Sequence, residues 1–431
     1  MKIFSFGFAL CLFPFGLSGQ WERCGYTHLL KQLKEKGQHM AIEQIQEEAY
    51  SFAKQNGLQK SAPLYQIPVV VHIVHMSPEE NLPDSLIHQQ IQVLNADFRR
   101  LNADTNLTRS EFLPVAADAG IEFFLATQDP QGNPTNGITR TAGQPSGLFP
   151  IFDPFSDNVK KTALGGKDPW PTSRYLNVWV CNLLSGFGVL GYAYPPAGTP
   201  PNWPADSAPA DSTVQGVVIH YPVFGPNNPN ATGPLTAVNR GRTLTHEVGH
   251  FLGLRHIWGD GGCAEDDGLN DTPPSDSDAG QLCDFSKNTC PPVSGPDLPD
   301  QIENYMDYAA DSCMNMFSQE QVAAMHYILE NYRKPLYESG LQMGLPNQTA
   351  VKISLSPNPS AGRFTLHRSG WASGPISTFL TDALGRRVTE LKYINASSNF
   401  VWDIPTLSNG LHWCYISNGN HHLALPILIQ R

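Results

Sequence analysis

One stretch of this chain, LTHEVGHFLGLRHIWGD, constrains its possible fold and chemistry more than any other. Its histidines, His246, His250 and His256, are separated by four and then six positions, and Glu247 directly follows the first of them. Positions four apart lie on one face of a helix, about 6 Å apart along its axis, so the first two imidazoles can reach one metal ion. Gly253 permits a sharp turn after the helix, which brings His256 back as a third ligand.

Three protein ligands with an open fourth position for water are typical of a catalytic zinc site. Zinc lowers the pKa of its bound water to about 7, and Glu247 lies beside the first ligand, where it can accept the proton of that water. The alternative is an amphipathic helix with surface histidines. A motif of only two histidines and one glutamate would not exclude that alternative. The full spacing, with the glycine and the third histidine, favours a zinc site.

The N-terminal residues MKIFSFGFALCLFPFGLSGQ have the pattern of a secretory signal peptide. One lysine precedes an apolar run, and small residues follow at the expected cleavage site, so residues 1–19 are assigned to the signal. The alternative is a membrane anchor, but the apolar run is shorter than the roughly 20 residues that a spanning helix needs. No other apolar run is long enough. We therefore expect an exported protein without a transmembrane segment.

The charge of the chain argues against two classes of partner. The 28 Lys and Arg residues are outnumbered by 39 Asp and Glu residues, which gives a formal net charge of −11. Nucleic acids and anionic membranes are bound through basic patches, so neither is expected here. The acidic excess is better suited to binding hard cations or to attracting basic substrates.

Composition and periodicity divide the rest of the chain into four segments and predict an α+β fold class. The segments are helix-prone residues 20–60, mixed residues 61–340, a linker at 341–350 and short strands at 351–431, the last predicting a small all-β sandwich. The mixed segment predicts strands at 67–75, 121–128, 176–184 and 216–225, and helices at 83–102, 243–253 and 318–333. The last of these helices begins with a capping box, from Ser318 to Gln321.

Four cysteines cluster after the histidine motif, namely Cys263, Cys283, Cys290 and Cys313. In an exported chain they fit two disulfides, in any of three pairings, or a zinc site. None of them forms a Cys-x-x-Cys pair, so disulfides are favoured.

Further along, the stretch IENYMDYAADSCMNMF contains Met306 and, two residues later, Tyr308. A three-histidine motif followed by a methionine-containing turn resembles the metzincin metalloproteases. Over roughly Pro68 to Tyr332 the landmarks PVVVHIVH, LNADFRRLNAD, NDTPPS and NYMDY resemble the pappalysin family within that group. The resemblance implies a catalytic domain over 61–340 with a twisted mixed sheet, a backing helix, an active-site helix and an irregular disulfide-stapled C-terminal subdomain.

The resemblance also implies roles for individual residues. The three histidines would bind zinc, and Glu247 would act as general base and later as general acid. Met306 would lie beneath the metal, and Tyr308 would assist the oxyanion of the intermediate. From the residues alone, Met306 would be assigned to core packing and Tyr308 would be an ordinary half-buried phenol. The implied disulfides are Cys263–Cys290 and Cys283–Cys313, which leave Cys181 as a free buried thiol.

Two further sites follow from the same resemblance. Related enzymes hold structural calcium in the loop after the third histidine, where this chain offers Asp266, Asp267, Asp271, Thr272, Asp276 and Asp278. The alternative is a solvated acidic loop. Some members cut before a basic residue by means of an acidic group in the primed-side pocket. The candidates here are Asp307 and Asp311, whereas Ser312 occupies the position directly before Cys313 and argues against an arginine preference.

The C-terminal stretches LSPNPSAGRFTL, DALGRRV and LSNGLHWCYIS resemble the sorting domain of type IX secretion substrates. The resemblance implies export to the periplasm, passage across the outer membrane and the type IX machinery as a partner. A carbohydrate-binding or adhesive sandwich is the alternative. For the whole protein the leading hypothesis is a secreted zinc endopeptidase that cuts proteins or peptides. A zinc-containing adhesin without activity and a non-peptidase zinc hydrolase are the alternatives.

The stretch QWERCGY after the signal peptide contains an unpaired cysteine, Cys24. It could form an intermolecular disulfide or pair with Cys181. The sharper hypothesis is a cysteine switch, in which the Cys24 thiolate takes the fourth position on zinc and keeps the precursor latent. Gly25 would let the backbone lie close to the site. Residues 20–60 would then be a pro-segment, removed by a cut near Lys60–Ser61.

Overall fold

The structure is a computed structural model. It describes residues 23–58, 64–143, 157–183, 189–196, 198, 214–292, 295–343, 352–369, 376–382, 387–389, 392–394, 400–417 and 422–431. The predicted signal peptide and the predicted activation cut lie outside these residues. The chain forms two compact units, Met1–Gly344 and Leu345–Arg431. No helix in the described part of the chain is long and apolar enough to cross a membrane.

The first unit contains six α-helices, several short 3-10 helices and eight strands within the described residues. The helices are α1 (Tyr26–Glu35), α2 (His39–Asn56), α3 (Asp84–Phe98), α4 (Arg242–Phe251), α5 (Gln319–Asn331) and α6 (Lys334–Met343). The strands are β1 (Tyr65–His75), β2 (Ala116–Ala117), β3 (Ile121–Leu125), β4 (Ile138–Ala142), β5 (Leu176–Cys181), β6 (Gly191–Ala193), β7 (Val217–His220) and β8 (Phe317–Ser318). The four predicted strands and three predicted helices of the middle segment are all present.

The central sheet has the strand order β3-β1-β5-β7-β6, with β4 pairing with the far end of β1. All of its pairs are parallel except β6 with β7, so β6 is an antiparallel strand at one edge. Strand β1 is buried along nearly its whole length, as its run of β-branched residues predicts. The sheet is therefore mixed, and its antiparallel edge lies beside the histidine motif.

Helices α3 and α4 carry the apolar residues of the first unit's largest core onto the sheet. In α3 the buried side chains recur at helical spacing, among them Ile87, Leu94 and Phe98. Every residue of α4 is buried, because the helix lies between α3, the sheet and the later irregular segment. The helix ends at Phe251, two residues before the predicted end, and Gly253 makes the expected turn with φ +93°.

The N-terminal segment 23–58 forms two helices, which confirms its predicted helical character. Helix α1 buries Leu29 and Leu33 against the region of β6, and α2 packs on α5 through side chains that include Ile45 and Ala49. Gly37, at φ +70°, provides the turn between the two helices. The segment is thus part of the folded unit.

The predicted capping box at the start of α5 is present. The Ser318 hydroxyl accepts from Gln321 N, and the Gln321 side chain accepts from Ser318 N. The predicted linker was placed too early, since α6 extends to Met343. Helix α6 packs on β1, and a Cβ at Gly340 would lie 1.7 Å from Gln66 O, so glycine permits this close approach.

The second unit is a small β-sandwich, as predicted. One sheet has the order β13-β10-β9 and the other the order β12-β11-β14-β15. The strands are β9 (Lys352–Ser356), β10 (Arg363–Ser369), β11 (Ile376–Asp382), β12 (Lys392–Ile394), β13 (Phe400–Asp403), β14 (Gly410–Ser417) and β15 (His422–Ile429). Alternate residues of both sheets form its core, including Phe364, Trp402, Cys414 and Ile427.

Candidate metal centre

The three histidines of the motif converge on one point beside the edge strand β6. His250 Nε2 lies 3.1 Å from His246 Nε2 and 3.0 Å from His256 Nε2. All three side chains are fully buried. Helix α4 positions the first two rings one turn apart, and the turn at Gly253 returns the chain so that the third ring meets them.

The opposite ring nitrogen, Nδ1, of each histidine donates to a fixed acceptor. The acceptors are Tyr305 O at 2.7 Å from His246, Leu254 O at 2.8 Å from His250, and Asp260 Oδ1 at 2.7 Å from His256. Burial lowers the pKa of His246 and His250 well below its ordinary value, so both rings are neutral. With Nδ1 protonated, each Nε2 presents a lone pair to the common point. Lone pairs this close together repel one another, and a bound cation would relieve the repulsion.

A fourth donor comes from the N-terminal segment. Among the described residues, the one group of three or more potential ligands that could hold a metal consists of Cys24 and the three histidines, whose ligand atoms all lie within 4.8 Å of one another. The Cys24 Sγ is also 3.5 Å from Glu247 Oε2 and accepts from Tyr26 N at 3.3 Å. Burial, together with the charge of Glu247, raises the pKa of this thiol well above its ordinary value. Only a nearby cation would keep it as a thiolate.

Glu247 lies beside this cluster, with its Oε2 3.5 Å from the Cys24 Sγ. Its Oε1 is buried and has no partner among the described residues. Burial raises the pKa of Glu247 to about 8, and Cys24 and Arg23 oppose that rise. A Cβ at Gly191 of β6 would lie 2.9 Å from the Glu247 Cγ, so this glycine leaves room for the carboxylate. The unpaired oxygen is therefore available to a molecule bound at the cluster.

Met306 lies beneath α4, where the helix has no side chain. A Cβ at Gly249 would be 2.4 Å from the Met306 Sδ. The methionine is fully buried, and the carbonyl of the preceding residue, Tyr305, accepts from His246. The turn that contains Met306 thus supports the ring of the first histidine.

Tyr308 lies on the other side of the cluster. Its ring centroid is 5.0 Å from that of His256 and 5.5 Å from that of His246. Its hydroxyl donates to the Cys24 carbonyl oxygen at 3.3 Å. The phenol already donates to one carbonyl oxygen beside the cluster, that of Cys24. It could therefore donate to another carbonyl oxygen bound in the same place.

The N-terminal segment passes beside the cluster and pairs with β6 through a single bridge at Cys24. Gly25 N donates to Gly191 O at 2.8 Å, and Leu190 N donates to Arg23 O at 3.2 Å, in a parallel bridge. Tyr26 then stacks on the His250 ring, with 4.0 Å between centroids and 6° between planes. The exposed edge of the sheet is thus covered by this segment next to the histidines.

Arg23 enters a buried pocket on the side of the cluster formed by the segment after Met306. Its Nη2 lies 2.5 Å from Asp311 Oδ1, and both side chains are buried. Its Nη1 donates to Ala309 O at 2.5 Å and lies 3.3 Å from Met314 Sδ. The second oxygen of Asp311 accepts from Arg240 N at 2.8 Å, just before α4.

The other two candidates for the substrate pocket do not contact Arg23. Asp307 is buried, and its Oδ1 accepts from Ala279 N at 2.9 Å and from Tyr308 N, so it fixes the turn from inside. Ser312 is exposed, and its hydroxyl lies 3.3 Å from Cys283 Sγ. Of the three residues, only Asp311 meets the basic side chain.

The irregular segment after the motif is held by disulfides between Cys263 and Cys290 and between Cys283 and Cys313, the pairs that the family resemblance implies. Cys24, Cys181 and Cys414 are buried and free.

The calcium candidates Asp266, Asp267 and Asp271 all accept hydrogen bonds within this unit. Asp267 is buried, its Oδ1 accepts from Thr272 Oγ1 at 2.7 Å, and its Oδ2 has no partner among the described residues. Asp271 accepts from Ser318 Oγ at 2.7 Å and from Glu320 N at 2.9 Å, so it caps α5. The Asp266 carboxylate accepts from Gly268 N at 2.9 Å.

Sequence reasoning missed several residues that contact the cluster. The sequence assigned no role to Arg23, Tyr26 or Trp258. Asp260 closes the quoted motif, four residues after His256, and that spacing is the signal that could have identified it. The pocket for Arg23 has no local signal, because its walls come from the other end of the unit.

Comparison with known proteins places these observations in a family. A metallopeptidase family described as "Pregnancy-associated plasma protein-A" matches residues 160–330, and a "Secretion system C-terminal sorting domain" matches residues 354–430. Promirolysin of Tannerella forsythia is 37% identical, with a TM-score of 0.63, over 75% of this chain and 100% of that one. Mature mirolysin of the same organism, in complex with a cleaved peptide, is 40% identical with a TM-score of 0.57, over 66% and 100%.

A curated relative points the same way. The extracellular metalloprotease of Pyricularia oryzae is 29% identical over 316 residues, which are 72% of this chain and 89% of that protein. The predicted pappalysin resemblance and the predicted sorting domain are therefore confirmed, as are the export of the protein and its class of enzyme. The chain belongs to the pappalysin family of metalloproteases and is a secreted or cell-surface metalloendopeptidase with a C-terminal secretion sorting domain.

Proposed function

We propose that the chain is the latent precursor of a zinc endopeptidase, with His246, His250 and His256 as zinc ligands and Cys24 as the fourth ligand before activation. The observation that carries the proposal is the convergence of three imidazole nitrogens and one thiol within 4.8 Å. Imidazole and thiolate are the donors that zinc prefers.

The donor set fits zinc in detail. His250 Nε2 lies 3.1 Å from His246 Nε2 and 3.0 Å from His256 Nε2, so the three histidines would be close enough to hold one zinc ion. The Nδ1 atoms are all occupied by acceptors, which fixes the tautomer that binds a metal through Nε2. Hard cations such as calcium prefer oxygen ligands and would bind poorly to this set.

Catalysis is assigned to the groups that remain once Cys24 has left. When bound, zinc would supply a Lewis acid that lowers the pKa of a water and polarises a peptide carbonyl. Glu247 would take up a proton at its unpaired buried Oε1 and later deliver it to the leaving amine. Tyr308 donates to the carbonyl oxygen of the substrate, in the manner of its hydrogen bond to the Cys24 carbonyl oxygen. Met306 supports the site from below α4.

Latency rests on three contacts of the pro-segment. Cys24 occupies the position that the reactive water needs. The main chain from Arg23 to Gly25 covers the edge of β6, where the main chain of a substrate would add as a further strand. Arg23 occupies the pocket of Asp311. Cleavage after α2 and release of the segment would free all three at once.

The Arg23–Asp311 pair supports a preference for substrates with a basic residue after the cut bond. A buried carboxylate that pairs with a guanidinium would also accept a lysine or arginine side chain of a substrate. Asp307 is excluded from this role by its internal hydrogen bonds, and Ser312 by its exposure. A preference for a basic residue after the cut bond would therefore depend on Asp311. It would not require an acidic residue at the position directly before Cys313.

A structural calcium ion is proposed near Asp267. The unpaired, buried Oδ2 of this residue needs a cation or a water, and burial raises the pKa of the carboxyl well above its ordinary value. Thr272 and the main-chain carbonyls of the loop can complete an oxygen shell. Asp266 lies close in sequence, whereas Asp271 is engaged in capping α5. This assignment therefore uses fewer of the candidate aspartates than the sequence offers.

The second unit is proposed to direct the protein to a type IX secretion machinery. The support is its match to a secretion sorting domain over residues 354–430. Deleting residues 351–431 should retain the protein within the cell envelope while the catalytic unit keeps its activity after purification. Normal secretion of the truncated protein would instead favour an adhesive role.

The function is tested by incubating the matured protein with a peptide library and sequencing the cut sites. We expect cleavage that stops on zinc chelation and returns when zinc is added back, with basic residues enriched after the cut. A zinc-binding adhesin without activity would bind the metal but release no products. The intact Glu247 argues against that alternative, since binding zinc does not require this carboxylate.

A further inference from the structure

The three histidines of the cluster are not held alike. His246 and His250 donate from Nδ1 to main-chain carbonyls, whereas His256 donates to the carboxylate of Asp260 at 2.7 Å. A carboxylate acceptor makes an imidazole a more basic ligand than a carbonyl does, and it fixes the ring more firmly. The third ring, which is held by a turn and not by a helix, therefore has the strongest acceptor.

Asp260 holds this position at a conformational cost. Its φ is +61°, in the left-handed region that glycine adopts freely and other residues rarely adopt. Gly259 before it also has φ +61°, and there a Cβ would lie 2.0 Å from Glu265 O, so glycine is required. Aspartate adopts this region more often than most residues, but at position 260 glycine would fit the backbone with less strain. Side chains held in such conformations cluster at functional sites.

Trp258 restrains the same ring from its face. Its indole is stacked on His256, with 4.3 Å between centroids and 6° between planes. It also meets the edge of Tyr308 at 4.8 Å. The His256 ring is therefore held at its Nδ1 by Asp260 and on one face by Trp258.

We propose that Asp260 is a positioning residue for metal binding and catalysis: its carboxylate orients His256 and strengthens it as a ligand. The proposal rests on the proposed function, because it assumes that zinc binds the three histidines. Asp260 lies outside the ligand set, and its Oδ1 is engaged with His256 Nδ1, so it acts through the histidine.

The test compares the full-length chain with Asp260→Asn and Asp260→Gly. The matched control is Glu265→Gln, which removes the same charge from an exposed side chain of the same loop. Zinc affinity is measured by competition with a chelator. We expect it to fall about 10–100-fold in the two Asp260 variants, more in the glycine variant, and to stay unchanged in the control. The glycine variant should still unfold cooperatively, since glycine adopts the backbone conformation of this position.

A spectroscopic readout separates positioning from a general structural effect. With cobalt in place of zinc, the visible absorption bands report the ligand geometry, and we expect them to shift in both Asp260 variants only. After maturation, kcat should fall in these variants at saturating zinc while KM stays near its normal value.

Three results would overturn the proposal. Unchanged zinc affinity and cobalt bands in both Asp260 variants, with normal binding by the unaltered chain, would overturn this proposal alone. Loss of cooperative unfolding in Asp260→Gly would show that Asp260 serves the fold instead. If the unaltered chain bound no zinc, the proposed function would fall as well.

Discussion

Arg23 and Asp311 form a buried ion pair between the beginning of the chain and the segment that closes the catalytic unit, with 2.5 Å between Nη2 and Oδ1. The other oxygen of Asp311 accepts from main-chain N–H groups at the start of α4, from Arg240 at 2.8 Å and from Arg242 at 3.3 Å. One carboxylate therefore anchors the helix of the histidine motif and pairs with the N-terminal segment. If that segment is the proposed pro-segment, a substrate that replaces it would meet an acceptor already fixed in place.

Asp311→Asn should change the substrate preference of the mature enzyme. The amide oxygen can still accept from the main chain, but the charge that pairs with a basic side chain is lost. A charged hydrogen bond contributes about 1.5–3 kcal/mol, so kcat/KM for peptides with arginine or lysine after the cut bond should fall roughly 10–100-fold. Peptides with an apolar residue there should be affected much less. Equal losses for both peptide classes would remove Asp311 from the specificity pocket, and the exposed Asp297→Asn serves as the control.

Glu247→Ala should retain zinc and the fold but lose at least about two orders of magnitude in kcat, the lower range for loss of a general acid–base group. The reason is that the carboxylate neighbours the ligands without being one of them. Metal content is measured by elemental analysis alongside the kinetics. Normal turnover with normal zinc content would contradict the proposed mechanism.

The histidine cluster could be predicted because it depends on residues that lie close together in the sequence. Spacings of four and six residues and one glycine fix where His246, His250 and His256 must go once α4 forms. The capping box of α5 was predictable for the same reason. Both depend on helix geometry within a few residues and need no knowledge of the rest of the fold.

Other features depended on contacts between distant parts of the chain. Arg23 meets Asp311 across 288 positions, and no periodicity reports such a pair. Residues 341–343 were assigned to the predicted linker, but they are the end of α6, a helix that packs on β1. The loop aspartates resembled one cation site, yet Asp271 is used to cap α5. Tertiary contacts decided each of these cases.

Stability should depend on pH through Asp307. Burial raises the pKa of this carboxyl to about 7 in the folded chain, against about 4 when unfolded. Below about pH 4 both states are protonated, and as the pH rises to about 7 only the unfolded state loses its proton, so stability falls. Asp307→Asn has no proton to lose, and its single accepting oxygen preserves the bonds to Ala279 N and Tyr308 N.

The melting temperature of Asp307→Asn minus that of the unaltered chain should therefore become more positive from pH 4 to pH 8. The increase should correspond to about 2–4 kcal/mol of unfolding free energy at the higher pH. The exposed Asp284→Asn should show no increase, because hydrogen bonds from Ser286 hold the pKa of Asp284 below its ordinary value. A difference independent of pH would mean that Asp307 is not protonated in the folded chain.

Calcium should stabilise the catalytic unit by mass action. When calcium is present at 100 times its dissociation constant and binds only the folded state, it adds about 2.7 kcal/mol to the free energy of unfolding. A change of this size is readily measured as a rise in the melting temperature. Asp267→Asn keeps the acceptor for the Thr272 hydroxyl but removes the charge at the unpaired oxygen. The variant should no longer respond to added calcium. An absence of response in the unaltered chain would leave the loop as an ordinary acidic surface.

The central claim, that Cys24 and three histidines hold zinc in the latent precursor, is tested most directly by X-ray absorption at the zinc edge of the full-length chain. We expect three nitrogen neighbours at about 2.0–2.1 Å and one sulfur neighbour at about 2.3 Å. In Cys24→Ala, and in the unaltered protein after removal of the pro-segment, a light oxygen or nitrogen neighbour should replace the sulfur, with peptidase activity appearing at the same time. A precursor whose zinc has no sulfur neighbour, or a Cys24→Ala chain that stays as latent as the original, would contradict the account.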